Sequence, residues 1–267
     1  MRFRLASVNA ASGRDWGTGR HDVAAWAAAA ATLDADVVGV QEVDHLLPRS
    51  GAVDQTAALA AALGVVDPTR ARFLPTVHGS PGTPDWRPTR PGEPEGPSYG
   101  VALVSRHPVE AWHERRVRGS RLRLPLVVGP GGVMWVPDEP RGALAATLRT
   151  PEGPVTVVST HLSFSPPRAV AQLREITTWA ASLPGPVVLL GDLNLPGPVP
   201  AAVSGWESAA QHATFPAGRP RVQLDHVLLA PSAPGAPAPR VVASAAEVVG
   251  GSDHRSLVVD LTIGAGH

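Results

Sequence analysis

The chain has 267 residues, 43% of them hydrophobic, and its 23 basic and 23 acidic residues cancel to a formal net charge of zero. That length supports one large core at the upper end of single-domain size, and the neutral balance argues against a general nucleic-acid binder, whose affinity rests on neutralising phosphates. Cysteine is absent, which excludes disulfides, thiolate metal sites and cysteine nucleophiles.

The N-terminal MRFRLASVNA lacks the apolar run of about 7–15 residues that a signal peptide needs. No stretch reaches the roughly 18 apolar residues of a membrane span. A soluble, cytoplasmic protein is expected, with little missing ahead of the fold because Met1 lies almost on the first strand. That strand is the alternating segment 2–9. Residues 20–33 are Ala-rich and predict a helix, VVGVQEV (37–43) a buried strand, 53–63 a short helix closed by Gly64, and 72–77 a strand. Residues 79–98 are dense in Pro and Gly and predict a long loop of the kind that selects substrates. Strands are expected at 99–105 and 108–118, irregular chain at 119–140, and a hairpin from 141–150 and 153–162. An amphipathic helix is expected at 166–183, and strands at 186–194, 222–230 and 255–261. Residues 231–239 read as a Pro/Ala linker. There is no internal repeat and no convincing domain boundary, so 1–267 is read as a single domain. Strands outnumber helices, and helices fall between strand runs. The pattern predicts an α+β fold with two sheets covered by helices.

One motif recurs. Apolar strands end in ionisable or amide residues: Asn9, Glu42, His161, Asp192 with Asn194, Asp225 within 222–230, and Asp253–His254 just before the last strand. Charges at the ends of buried strands are costly unless paired or metal-bound. Converging carboxylates and amides suit a hard cation such as Mg²⁺ or Mn²⁺.

The ordered set Asn9, QE at 41–42, STHL at 159–162, GDLN at 191–194, LD at 224–225 and SDH at 252–254 resembles the endonuclease/exonuclease/phosphatase superfamily. The resemblance runs over nearly the whole chain. It implies a four-layered α/β/β/α sandwich with two packed mixed β-sheets, and a metal-dependent phosphodiesterase, endonuclease, exonuclease or phosphatase activity. It further implies Asn9, Glu42 and Asp253 as metal contacts and Asp192 as the group that orients or deprotonates water. Asn194 and His161 would serve the phosphate, and His254 with Asp225 would form the acid–base pair. Arg141 resembles an arginine that reaches the phosphate, and Tyr99 is a site-rim residue. Where many members carry a second polar residue after the first-strand Asn, this chain has Ala11; Ser12 is the available stand-in.

The expected partner is a phosphoester substrate, either nucleic acid or a small phosphorylated molecule such as a nucleotide, inositol phosphate or lipid headgroup. Arg115, Arg116, Arg118, Arg121 and Arg123 form the one basic run that could track nucleic acid. A catalytically inactive binding module on the same scaffold is the alternative from another class. A calcineurin-like two-metal hydrolase is disfavoured, because its Asn-His-Glu/Asp and Gly-His-x-His stretches are missing. His226 shares a strand with Asp225 but points to the opposite face, which makes it structural. The other histidines have no partner legible in the sequence. The tryptophans are expected to pack or cap the core.

Overall fold

The computed structural model describes the chain apart from residues 84–85, 94–95, 121–122, 128–131, 233–237 and 265–267; for 123–127 and 133–137 it describes the backbone. The elements run β1 (Arg2–Asn9), α1 (Val23–Ala31), β2 (Val37–His45), α2 (Gln55–Ala62), β3 (Ala71–His78), β4 (Arg87–Pro88), β5 (Ser98–Ser105) and β6 (Val109–Val117). They continue with β7 (Arg123–Val127), β8 (Val133–Pro137), β9 (Arg141–Thr150), β10 (Gly153–His161), α3 (Pro166–Ala180), β11 (Val187–Asp192), α4 (Val199–Ser204), β12 (Glu207–Ser208), β13 (Asp225–Leu229), β14 (Arg240–Val248) and β15 (Arg255–Thr262).

Two sheets carry the fold, ordered β14-β15-β1-β2-β5-β3-β4 and β12-β13-β11-β10-β9-β6. Both are mixed, and each contains one parallel pair, β1 with β2 and β10 with β11. Apolar residues sort into three clusters that make the expected four layers. Phe3, Leu5, Val37 and Leu103 of the first sheet meet Leu144, Val157, Val188 and Leu190 of the second between the sheets. Ala6, Val8, Val38 and Val104 face Trp26, Ala27 and Ala30 of α1 and Leu59 of α2 on one outer side. Ala145, Val158, Leu189 and Leu228 face Leu173, Ile176 and Ala180 of α3 on the other.

The two-residue period of a strand explains why this core ends in a polar site. Along β1 the inter-sheet stripe is Phe3, Leu5, Ser7, Asn9; along β10 it is Val155, Val157, Ser159, His161. Along β11 it runs Val188, Leu190, Asp192, and along β13, read backwards, Leu229, Val227, Asp225. Each stripe starts apolar and finishes in a group able to do chemistry. Between the two zones lies a polar seam: the Ser7 hydroxyl donates to Gln41 Oε1 at 3.4 Å, and Gln41 Nε2 donates to Ser159 Oγ at 3.4 Å. The seam satisfies buried groups that would otherwise be costly.

Most expected elements are present, with ends moved by capping. α1 begins at Val23 because Asp22 accepts from Ala25 N at 2.9 Å, and α2 begins at Gln55 because Asp54 accepts from Ala57 N at 3.0 Å. The irregular reading of 119–140 is corrected: β7 and β8 pair antiparallel as a separate ribbon. Apolar runs flanking Gly-Pro-Gly-Gly were the signal for it. β14 was not foreseen. Its residues are mostly exposed at the edge of the first sheet, so no alternation marks it. Parts of the expected 79–98 and 231–239 loops, together with Arg121, the Arg123 and Trp135 side chains and His267, lie outside the described residues.

Backbone approach beside the site is tight. A Cβ on Gly191 would stand 1.9 Å from the Thr160 carbonyl oxygen, and backbone cannot yield as a side-chain tip can. Gly191→Ala is expected to destabilise by about 3 kcal/mol in denaturant unfolding; an unchanged midpoint would contradict this packing.

Candidate active site

The carboxyl ends of the two parallel pairs meet across the interface. Asn9 lies opposite Gln41 in one sheet, and His161 opposite Asp192 in the other. A single amide joins them: Asn9 Nδ2 donates to Glu42 Oε1 and to Asp192 Oδ2, each at 3.1 Å, while Asn9 Oδ1 accepts from Ala11 N at 2.9 Å. Glu42 reaches this point because β2 bulges; its pairing with β5 shifts between Val40 and Val43. Glu42 has φ +55° and Asn194 has φ +50°. The left-handed region is unfavourable for a residue with a Cβ, and such strain concentrates at functional positions.

Asn194 turns back onto the site. Its N–H donates to Asp192 Oδ1 at 3.0 Å, and its side-chain amide donates to the Leu162 carbonyl at 3.0 Å while lying 3.3 Å from His161 Nε2. His254 Nδ1 is 2.8 Å from Asp225 Oδ2. Two histidines therefore flank one carboxylate: His161 Nε2 and His254 Nε2 each stand 3.7 Å from Asp192 Oδ2. Glu42, His161 and Asp192 offer ligand atoms that all lie within 4.8 Å of one another, as do Asp192, Asp225 and His254.

Electrostatics separates the two histidines. Burial opposes the charge of His254, but the Asp225 and Asp192 carboxylates and the hydrogen bond that His254 donates to Asp225 outweigh it and raise its pKa to about 10. His161 is held well below the usual histidine range by burial, then by the Arg141 and His254 charges. Burial pushes Asp192 up to about 7; His254 opposes this, and Asp225 and Glu42 add to it. Burial also raises Asp253, which His254 opposes and Glu42 reinforces.

Seven expected residues (Asn9, Glu42, His161, Asp192, Asn194, Asp225 and His254) thus form one connected set. The other three stand at its edge. Asp253 is half-buried, and its backbone carbonyl accepts from Ala217 N at 2.7 Å. Tyr99 is buried, with the Arg49 guanidinium 5.7 Å from its ring centroid. Arg141 is 4% exposed; its Nη1 is 2.9 Å from His161 Nδ1 and its Nη2 is 3.0 Å from Glu139 Oε1. Ser12 is engaged elsewhere: its hydroxyl donates to Asp44 at 3.1 Å and accepts from Arg49 at 2.9 Å. His226 faces away, with Nε2 2.8 Å from the Leu195 carbonyl.

Other histidines do have partners that the sequence did not announce: His45 with Asp54, His78 with Glu93, His107 with Asp36, His113 with Thr147 and His212 with Ser244. Two arginines of the basic run are engaged. Arg115 bonds Glu175 at 2.8 Å, and Arg116 bonds Thr89 Oγ1 at 2.6 Å and the Pro75 carbonyl at 2.7 Å.

Sequence reasoning missed several supporting residues. Thr214 Oγ1 accepts from Leu224 N at 3.1 Å and from Asp225 N at 3.2 Å, and the Phe215 ring lies 4.9 Å from that of His254. Ser252 Oγ donates to the Asn9 carbonyl at 2.9 Å, tying the last strand's entry to the first strand's end. Glu139 stands two residues before Arg141, the only signal it offered.

Two buried sheets thus end in converging carboxylates, amides and imidazoles. The chain belongs to the Endonuclease/Exonuclease/phosphatase family, whose model matches residues 6–254; members generally hydrolyse phosphate esters and use a divalent metal. No curated protein matches the sequence. Among solved structures, an endonuclease/exonuclease/phosphatase from Beutenbergia cavernae is 25% identical, with a TM-score of 0.68 over 98% of this chain and 72% of that one. Humanized D. rerio TDP2 is 15% identical, with a TM-score of 0.58 over 98% and 99% of the two chains. A Bacteroides thetaiotaomicron mannosyl-6-phosphatase, Bt3783, is 15% identical, with a TM-score of 0.58 over 97% and 99%.

The raised pKa of His254 has a sign for stability. A basic group whose folded pKa exceeds its ordinary 6.5 stabilises the fold fully below that pH, and the benefit is lost as pH rises through about 10. Thermal midpoints of the wild type should therefore fall more steeply than those of His254→Gln between these limits. Parallel profiles would contradict an imidazolium paired with Asp225.

Proposed function

We propose that the chain is a divalent-metal-dependent phosphodiesterase acting on a small phosphorylated molecule. The observation that carries this reading is the linked set Glu42–Asn9–Asp192 with His161 and His254 on either side of Asp192. Among the described residues no arginine pairs with Glu42, Asp192 or Asp225, and Asp225 Oδ1 is buried without a hydrogen-bond partner. Such a donor set fits a hard cation. Glu42 and Asp192 would hold Mg²⁺ or Mn²⁺, with Asn9 and Asp253 in support. The cation would supply charge stabilisation for the phosphoryl oxygens.

The residues divide the remaining work. Asp192 accepts a proton from the attacking water as the new P–O bond forms. The ester P–O bond breaks, and His254 Nε2 passes its proton to the departing oxygen, with Asp225 holding the imidazolium in place. Asn194 and His161 donate to non-bridging oxygens whose charge grows in the transition state. A small substrate is favoured over nucleic acid because the chain carries no net charge, and Arg115 and Arg116 are tied to Glu175 and Thr89.

Turnover of bis-p-nitrophenyl phosphate with Mg²⁺ or Mn²⁺ tests this directly. Activity should vanish with chelator and fall at least about a hundred-fold in Asp192→Asn and in His254→Gln. It should also vary little with salt, where a nuclease would weaken steeply on DNA. Equal rates in wild type and both variants would favour the inactive binding module.

A further inference from the structure

The two site histidines are clamped by groups of opposite polarity. His254 Nδ1 faces a carboxylate, Asp225 Oδ2 at 2.8 Å, which can only accept. His161 Nδ1 faces a guanidinium, Arg141 Nη1 at 2.9 Å, which can only donate. A ring nitrogen that accepts a hydrogen bond carries no proton, so a neutral His161 must carry its proton on Nε2. Asn194 Nδ2 competes from the other side at 3.3 Å. That contact is longer and uncharged, and the same amide already donates to the Leu162 carbonyl at 3.0 Å; the charge-assisted bond from Arg141 prevails. Arg141 is itself oriented by Glu139, 3.0 Å from Nη2, and the two side chains are 4% and 13% exposed.

We infer that Arg141, oriented by Glu139, is a positioning residue that fixes His161 as a neutral imidazole with its proton on Nε2. His161 then has no lone pair for a metal and no free site for a second proton. It is a fixed hydrogen-bond donor aimed into the site, and of the two histidines His254 alone passes a proton. The cation ligands reduce to oxygen donors, Glu42 and Asp192 first among them. The tautomer stands on geometry; its catalytic meaning rests on the phosphodiesterase reading.

Nitrogen-15 NMR of the histidine side chains at neutral pH, with and without Mg²⁺, reads the tautomer without any need for turnover. The wild type should show His161 with an unprotonated Nδ1 and a protonated Nε2. In Arg141→Met, the His161 nitrogens should average or exchange roles. Because that variant leaves Glu139 buried without its partner, Glu139→Gln/Arg141→Met serves as the second variant and should show the same change. A proton on Nδ1 of wild-type His161, or a signature unmoved in both variants, overturns the inference. On bis-p-nitrophenyl phosphate, loss of Arg141 should lower kcat roughly ten-fold with KM within two-fold; a raised KM with kcat retained would make Arg141 a substrate contact instead. An inactive wild type showing the expected tautomer would sink the hydrolase reading and leave the positioning role standing.

Discussion

Three carboxylates, those of Glu42, Asp192 and Asp225, converge where two hydrophobic sheets close on one another, and the rest of the site answers that concentration of negative charge. Away from bulk water each anion is expensive unless something positive or hydrogen-bonding meets it. Asn9 meets two of them with one amide, His254 meets Asp225 directly, and the divalent cation we propose would meet Glu42 and Asp192. The raised positions of Asp192 and His254 are two sides of this arrangement: protons are retained where charge has accumulated.

The fold makes this affordable by repeating one device in both sheets. In each, a parallel strand pair carries an apolar stripe toward the other sheet and finishes in polar groups at the same end. The seam of Ser7, Gln41 and Ser159 marks where packing gives way to chemistry. Departures from regular geometry fall at that end too, in the β2 bulge and in the left-handed backbones of Glu42 and Asn194. Strain there is held by the cross-sheet bonds of Asn9 and the turn of Asn194 onto Asp192, so positioning and rigidity come from the same contacts.

Much of this was legible in the sequence, because strand periodicity writes the inter-sheet stripe directly into every second residue. Val188, Leu190 and Asp192 form such a series, as do Val157, Ser159 and His161, and their polar ends can be read before any fold is known. What could not be read depends on chain segments meeting in space. The capture of Ser12 by Asp44 and Arg49 needs the end of β2 and the loop after it to meet the turn that follows β1. The contact between Arg141 and His161 needs the register of β9 against β10, and the brace of Thr214 on Asp225 has no sequence periodicity at all. β14 escaped for a different reason: a mostly exposed edge strand has no buried face to impose alternation.

The central claim, that Glu42 and Asp192 form an oxygen-donor cation site, is tested most directly by calorimetric titration of Mn²⁺ into the wild type and Glu42→Gln. The substitution keeps shape and removes charge. A single saturable event in the wild type, weakened at least about ten-fold in the variant, is the predicted result. Identical isotherms for the two proteins, or no binding by the wild type, would contradict it.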